Sequence, residues 1–327
     1  MSRSAGFDVV VFGSLHMDIM VRAPDRPRRG ETVAGQSWAY KPGGKGGNQA
    51  VEAARAGVRT AMAGAVGDDD FGRGLVDNLR RKGVDAEAVV RKTGAGSGMS
   101  VAIVDAGGDY GAVIVSGVNL LLGSQEAEAA AALVAETGIL VLQNEISEEP
   151  NRAALAAARR RGIRTLLNAA PARPPPEDFG ALLDLLVVNA IEAEALGAPP
   201  VASLAEAEAA ARRLLPLAET VVVTAGGAGV AAARREGPSS ALPAHRVEVV
   251  GTHGAGDAFI GALAAALSGG GDLDEALRRA NAAAARHVSA HGASPGSAAD
   301  AWGPITVRGG RRDAISRRRG SRIRVPR

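Results

Sequence analysis

Val249-Val-Gly-Thr-His-Gly-Ala-Gly-Asp-Ala-Phe-Ile-Gly-Ala-Leu263 joins the small residues Gly254, Ala255 and Gly256 to a carboxylate, Asp257, and then to an apolar helical pattern. Phe259, Leu263 and Leu267 recur at i, i+4 and i+8 with Ile260 alongside, which predicts a helix packed by one face. Small residues ahead of a helix leave its first backbone N–H groups open to an anion. Asp257 falls in the first turn, where the helix dipole favours negative charge. A phosphate cradle beside a carboxylate suits phosphoryl transfer to an acceptor that must lose a proton. A glycine-rich loop before a buried helix would leave the same local pattern, so the rest of the chain has to decide.

Working outward, Phe7-Asp-Val-Val-Val-Phe12 predicts a buried first strand ending at Gly13-Ser14. The partly polar alternation of Leu15-His-Met-Asp-Ile-Met-Val21 predicts a strand with one exposed face. No Gly-x-Gly-x-x-Gly follows the first strand, which argues against a dinucleotide-binding dehydrogenase. A second glycine-rich stretch, Tyr40-Lys-Pro-Gly-Gly-Lys-Gly-Gly-Asn-Gln-Ala50, leads into the alanine-rich Val51 to Ala56, where a helix is expected to start. Its glycines let a backbone approach a ligand closely, and Lys45 and Asn48 could hydrogen-bond a polyol. The spacing is not that of a Walker loop. The acidic run Asp68-Asp69-Asp70 precedes a helix with Leu75 and Leu79 on one face, and reads as helix capping, with a metal site as the other possibility.

Residues 98–104 and 109–116 predict a hairpin through Asp105-Ala-Gly-Gly108. From there the order is strand 138–143, helix 151–161, strand 165–168, a strand within 182–188, helix 204–215 and strand 220–224. Such alternation predicts a mainly parallel sheet with helices on both faces, whose ligands bind beyond the carboxyl ends of the strands. Gln143 to Glu145, Asn168, Asn189 to Glu192, Thr224 to Gly227 and Gly251 to Asp257 all fall at such ends. That coincidence predicts one composite site.

Composition sets the bounds. At 327 residues, 46% hydrophobic and 22% charged, the chain is globular, with room for one large α/β domain or two ordinary ones. Cysteine is absent, which excludes disulfides, thiolate metal sites and a cysteine nucleophile. Met1 to Asp8 carry no apolar signal-like region and no run approaches a spanning helix, so a cytoplasmic enzyme without membrane attachment is expected. The net charge of +3 hides an asymmetry: residues 308–327 hold nine arginines and one aspartate, a local +8, which leaves −5 on residues 1–307. This tail has almost no apolar periodicity and is expected to be disordered; nucleic-acid binding is not expected of it, because no aromatic residues interleave its charges.

With these pieces in order, the sequence resembles the ribokinase (phosphofructokinase-B) family of carbohydrate kinases over roughly residues 7–298. The resemblance rests on Gly43-Gly-Lys-Gly-Gly-Asn-Gln-Ala50 and Gly254-Ala-Gly-Asp257 in that order and at that spacing; Glu31-Thr-Val33, Asn168-Ala-Ala-Pro-Ala172 and Asn189-Ala-Ile-Glu192 are also similar. It implies a three-layer α/β/α core in residues 1–307 with a mainly parallel sheet and a small β lid, the lid drawn from about 14–42 and 97–117. It implies that His16, Asp18, Gly44, Lys45, Asn48, Glu145 and Asp257 line a sugar pocket. Asn189, Thr224, Gly226, Gly229, Gly256 and Asn281 would hold ATP, and Glu192 would organise Mg²⁺. Asp257 would be the catalytic base and Gly254 to Gly256 the anion hole. The reaction implied is transfer of the ATP γ-phosphoryl group to the 5-hydroxyl of ribose. A nucleoside or other pentose or hexose kinase is the alternative within the class, and a catalytically silent sugar-binding regulator the one outside it. Family members often dimerise through the lid sheet.

The chain departs from the family pattern in three places. Ribokinases usually carry asparagine where this chain has His16. Gly251 stands where an aspartate helps bind an activating monovalent cation, and Gly296, followed by Ser297, stands where the same site has a serine. Losing both side-chain oxygens predicts weak K⁺ binding. The usual C-terminal helix is replaced by the arginine tail.

Overall fold

The computed structural model describes residues 6–107 and 109–290; Gly296, Ser297 and the arginine-rich stretch 308–327 lie outside the described residues. The chain runs β1 (Phe7–Phe12), β2 (His16–Arg22), β3 (Ser37–Gly43), α1 (Lys45–Arg55), β4 (Thr60–Gly67), α2 (Asp70–Arg81), β5 (Val89–Lys92), β6 (Gly98–Val104) and β7 (Tyr110–Val115). It continues through α3 (Ser124–Leu133), β8 (Val134–Gln143), α4 (Glu148–Arg161), β9 (Arg164–Asn168), β10 (Leu185–Asn189), α5 (Ala190–Ala195), α6 (Leu204–Arg213), β11 (Thr220–Thr224), β12 (Val230–Arg234), β13 (Ser240–Leu242), α7 (Ala255–Leu267) and α8 (Leu273–Ala290).

A nine-stranded sheet has the order β13-β12-β11-β10-β9-β8-β1-β4-β5. Its strands pair in parallel except β12, which is antiparallel to both β11 and β13. The continuous apolar run of β1 follows from burial on both faces. Val10 and Phe12 pack with Ala130, Leu155 and Ala211 of α3, α4 and α6, whereas Val9 and Val11 pack with Ala53, Leu79, Leu263 and Leu277 of α1, α2, α7 and α8. The result is three layers, with alanine allowing the helices to lie close. Register aligns the carboxyl ends: Gln143 pairs with Asn168, and Asn189 with Thr224. The composite edge expected from the sequence therefore exists.

A separate four-stranded sheet, β3-β2-β6-β7, is built from the segments around 16–43 and 98–115. Trp38, Val113 and Val115 lie exposed on it. No helix among the described residues is long and apolar enough to cross a membrane.

Two local expectations need correction. The glycine-rich stretch does not merely precede a helix, because α1 already begins at Lys45. Gly46 and Gly47 sit in its first turn, where a Cβ would come within 2.6 Å of the Ser14 carbonyl oxygen and 2.9 Å of the Leu15 side chain. Their small size lets α1 rest on the β1–β2 connection. Second, β12 and β13 turn the far edge antiparallel, where only Thr220 to Thr224 read as strand. The acidic run behaves as capping predicts: the Asp69 carboxylate accepts from Gly72 N at 2.7 Å, and from Ser97 N and Oγ, each at 2.7 Å.

Candidate active site

The turn before α7 is held in place from α8. Val250 N donates to Val288 O at 2.9 Å, Gly251 N to the same oxygen at 3.3 Å, and His287 Nε2 lies 3.0 Å from His253 O. Gly254 caps α7 with φ +84°, a left-handed conformation that favours glycine, and a Cβ there would come within 2.9 Å of His287 Nε2. No side chain caps the helix; the Ala255 amide donates to Thr252 O at 3.3 Å, and the Gly256 and Asp257 amides follow it in the first turn. Beside Gly256 there is nothing within 4 Å of where a Cβ would stand, which leaves open space against those amides. Asp257 sits in the first turn and is 9% exposed.

Helix α1 reaches the same carboxylate from the other side. Asn48 Nδ2 donates to Asp257 Oδ2 at 3.0 Å and Gln49 Nε2 to Asp257 Oδ1 at 3.0 Å. The approach depends on Gly261 of α7, where a Cβ would come within 2.6 Å of Glu52 Cβ, 2.7 Å of Ala53 N and 2.8 Å of Gln49 O. Burial pushes the Asp257 carboxyl above the usual carboxylate range, while Lys45 and the amides of Asn48 and Gln49 pull it back. Gln49 was not singled out in the sequence. Its signal was a polar residue at the buried i, i+4 position relative to Ala53.

Around the start of α1, Glu145 Oε2 accepts from Ser14 Oγ at 2.5 Å and from Lys45 N at 2.9 Å, so this carboxylate also caps the helix. Ser14 is a second residue missed in the sequence. Gly44 enters α1 at φ +82°, and a Cβ would come within 2.7 Å of His16 N. The His16 side chain is buried, with Nδ1 3.7 Å from Glu145 Oε2 and Nε2 without a hydrogen-bond partner. Asp18 Oδ1 accepts from Ser100 Oγ at 2.6 Å, and its other oxygen lies over Gly43, where a Cβ would collide with it. His16, Asp18, Gly44, Lys45 and Glu145 thus gather where β2, β3, α1 and the end of β8 meet.

Two cavities flank the N-terminus of α7. One, of about 610 Å³, is lined by Asn48, His253, Gly254 and Asp257, with Lys41 and Arg286 among its cations. Burial, with Lys41, pushes the His253 pKa down. The other, of about 690 Å³, is lined by Asn189, Thr224, Gly226, Gly229, Gly256 and Asn281, together with apolar groups such as Val247 and Phe259. Every residue assigned to ATP in the sequence borders this second cavity. Asn281 is also structural, its Nδ2 donating to Pro243 O at 2.8 Å.

Asn189 and Glu192 form a reciprocal cap of α5: Glu192 N donates to Asn189 Oδ1 at 2.8 Å, and Asn189 N to Glu192 Oε2 at 2.9 Å. Burial pushes the Glu192 carboxyl up against the pull of the Asn189 amide and Lys45, and Asp257 adds to the rise. No group of three or more His, Asp or Glu among the described residues could hold a metal ion. Gly251 supplies no side-chain oxygen, and Gly296 lies outside the described residues.

Comparison with known proteins points the same way. Residues 7–300 match the pfkB family carbohydrate kinases. The chain is 37% identical to a ribokinase of Mus musculus across 87% of this chain and 90% of that one. It is 38% identical to a ribokinase of Bacillus subtilis (strain 168) across 88% and 95%. A solved structure of Arabidopsis thaliana ribokinase complexed with ribose and ATP superimposes with a TM-score of 0.78 at 27% identity, covering 86% of this chain and 93% of that one.

Proposed function

The chain belongs to the pfkB family of carbohydrate kinases, and we propose that it transfers the γ-phosphoryl group of ATP to the 5-hydroxyl of D-ribose, giving ribose 5-phosphate and ADP. The observation that carries this reading is the position of Asp257. Its buried carboxylate stands in the first turn of a helix whose N-terminus divides two cavities. An acceptor hydroxyl on the Asp257 side and a nucleotide on the Gly256 side would meet at those amides.

In this reading Asp257 accepts the proton of the 5-hydroxyl as that oxygen bonds to the γ-phosphorus, and the bond to the ADP oxygen breaks in line. The anion hole of Gly254 to Gly256 would stabilise the charge on the moving phosphoryl oxygens. Lys45 offsets the charge of Asp257 and Glu192, and both carboxyls respond to it. His16, Asp18, Gly44, Lys45, Asn48 and Glu145 would hold the sugar hydroxyls, while Asn189, Thr224, Gly226, Gly229, Gly256 and Asn281 would hold ATP. Mg²⁺, when bound, neutralises phosphate charge. The single carboxylate of Glu192 fits a magnesium ion carried in on the nucleotide phosphates, because such ions take one or two carboxylates and keep several waters. The side-chain oxygens needed for K⁺ are not offered by Gly251.

The four-stranded sheet would serve as a lid over the sugar, and its exposed Trp38, Val113 and Val115 fit a homodimer formed through that sheet. A concentration-independent monomer in sedimentation would refute that assembly. We place the reaction in the cytoplasm, where ATP is available.

An ATP-coupled assay against ribose, deoxyribose, fructose and several nucleosides tests the acceptor. Ribose should give the highest kcat/KM. A nucleoside preference would assign the alternative substrate, and sugar binding without ATP turnover would mark a silent regulator.

A further inference from the structure

A chain of buried amides runs behind Asp257, from the sheet to the carboxylate. Asn168 Nδ2 donates to Val187 O at 3.2 Å. That main-chain oxygen can only accept, so it fixes which end of the Asn168 amide faces it and leaves Asn168 Oδ1 turned toward Gln49. Gln49 Nε2 then donates both of its hydrogens, one to Asn168 Oδ1 at 3.1 Å and one to Asp257 Oδ1 at 3.0 Å. Its own oxygen accepts from Gln143 Nε2 at 2.9 Å. Gln49, Gln143 and Asn168 are all buried, and Gly13 is the only residue type that leaves space for the Gln143 amide, since a Cβ there would collide with it. A single carbonyl of β10, that of Val187, therefore dictates that Asp257 meets a donor and never an acceptor along this side.

We infer that Gln49 is a positioning residue for the phosphoryl-transfer step, its amide oriented by Gln143 and Asn168 so as to hold Asp257 as a carboxylate aimed at the acceptor. The inference rests on the reading of Asp257 as the base. A hydrogen bond donated to the charged form favours that form, and here it works against burial, which favours the acid. The other charges facing Asp257 are Lys45 on α1, Glu145 beyond β8, Glu192 on α5 and His253 on its own turn. Lys41 on β3, Glu52 and Arg55 on α1, Lys82 at the end of α2, and Arg286 and His287 on α8 border the same cavity. None of these is altered by changing Gln49.

The test is the pH profile of kcat, at saturating ATP and ribose, for the full-length protein and for Gln49→Met, Gln143→Met and the double variant. The base must be deprotonated, so losing a donor to it raises its pKa and moves the acid limb to higher pH. Gln49→Met should move that limb up by about one to two pH units, with kcat largely recovered on the alkaline side and the ribose KM within about threefold. Gln143→Met, which does not touch Asp257, should move it the same way by less, and should add nothing in the Gln49→Met background. An unmoved limb in a folded Gln49→Met protein, or a Gln143→Met effect that persists in the double variant, would overturn the inference. If Gln49→Met does not fold, an unmoved limb in Gln143→Met overturns it instead. Asp257→Asn separates the two readings. Turnover surviving in that variant sinks the base, whereas loss of turnover with no limb shift in Gln49→Met sinks only the amide chain.

Discussion

Replacing Gly261 by alanine tests whether the approach of two helices sets the rate. A Cβ at this position would stand 2.6 Å from Glu52 Cβ and 2.7 Å from Ala53 N. Carbon pairs are comfortable at about 3.5–4.0 Å, so α1 and α7 must separate by roughly 1 Å. The contact atoms are backbone and a Cβ, which cannot swing aside as a side-chain end could. The hydrogen bonds from Asn48 and Gln49 to Asp257, both 3.0 Å, span the same gap. Stretched toward about 4 Å, they no longer count as bonds. Overpacking of this kind costs about 1–3 kcal/mol, and a misplacement of about 1 Å at the reacting groups lowers turnover by about 10²-fold. Steady-state rates with saturating ATP and ribose, read beside a thermal melt, would show both effects. A Gly261→Ala protein with kcat within about threefold of the parent would refute the reasoning, because the helices would then have found another way to accommodate the methyl group.

Three further outcomes are expected. Asp257→Ala should lower kcat by about 10²–10⁴-fold, the usual worth of a positioned base, while equilibrium binding of ribose survives; undiminished turnover would end its assignment. Asp69→Ala should destabilise the fold by about 2–3 kcal/mol, because three donors lose their acceptor. Burial works to raise the Asp69 pKa, but the bonds from Ser97 and Gly72 outweigh it and the net shift is downward. Its contribution should therefore be complete at neutral pH and fade below about pH 4, so chemical denaturation of variant and parent should converge in acid; a gap constant with pH would contradict this. Turnover should respond little to K⁺ against a bulky monovalent cation, since Gly251 offers no side-chain oxygen; a several-fold stimulation would refute it.

Where the sequence was legible, a local regularity carried the information. Phe7–Phe12 and the later strands up to Thr220–Thr224 contain short apolar runs and α7 shows a helical period, so those strands and the ligand-binding edge could be read directly, whereas β4 and β5, the latter Val-Val-Arg-Lys, were not read as strands. The far edge could not: β12 is Val-Ala-Ala-Ala-Arg, with one β-branched residue, and its strand state comes from pairing with β11 and β13 rather than from propensity. The site divides in the same way. Asp257, Asn48 and Lys45 stood out because each is a polar side chain set in or beside a glycine-rich stretch. Gln49 and Ser14 did not, since nothing local marks them and their partners, 208 and 131 residues away in the chain, are brought to them only by the fold. The glycines around Lys45 were read as letting a backbone approach a ligand, and Gly261 was not singled out, yet at Gly46, Gly47 and Gly261 the reason for glycine is the neighbouring segment of chain packed against it. Spacing of this kind leaves no periodic trace, although it decides whether an amide on α1 reaches a carboxylate on α7. The donors of an active site are thus easier to recognise in a sequence than the glycines that bring them within 3.0 Å of their target.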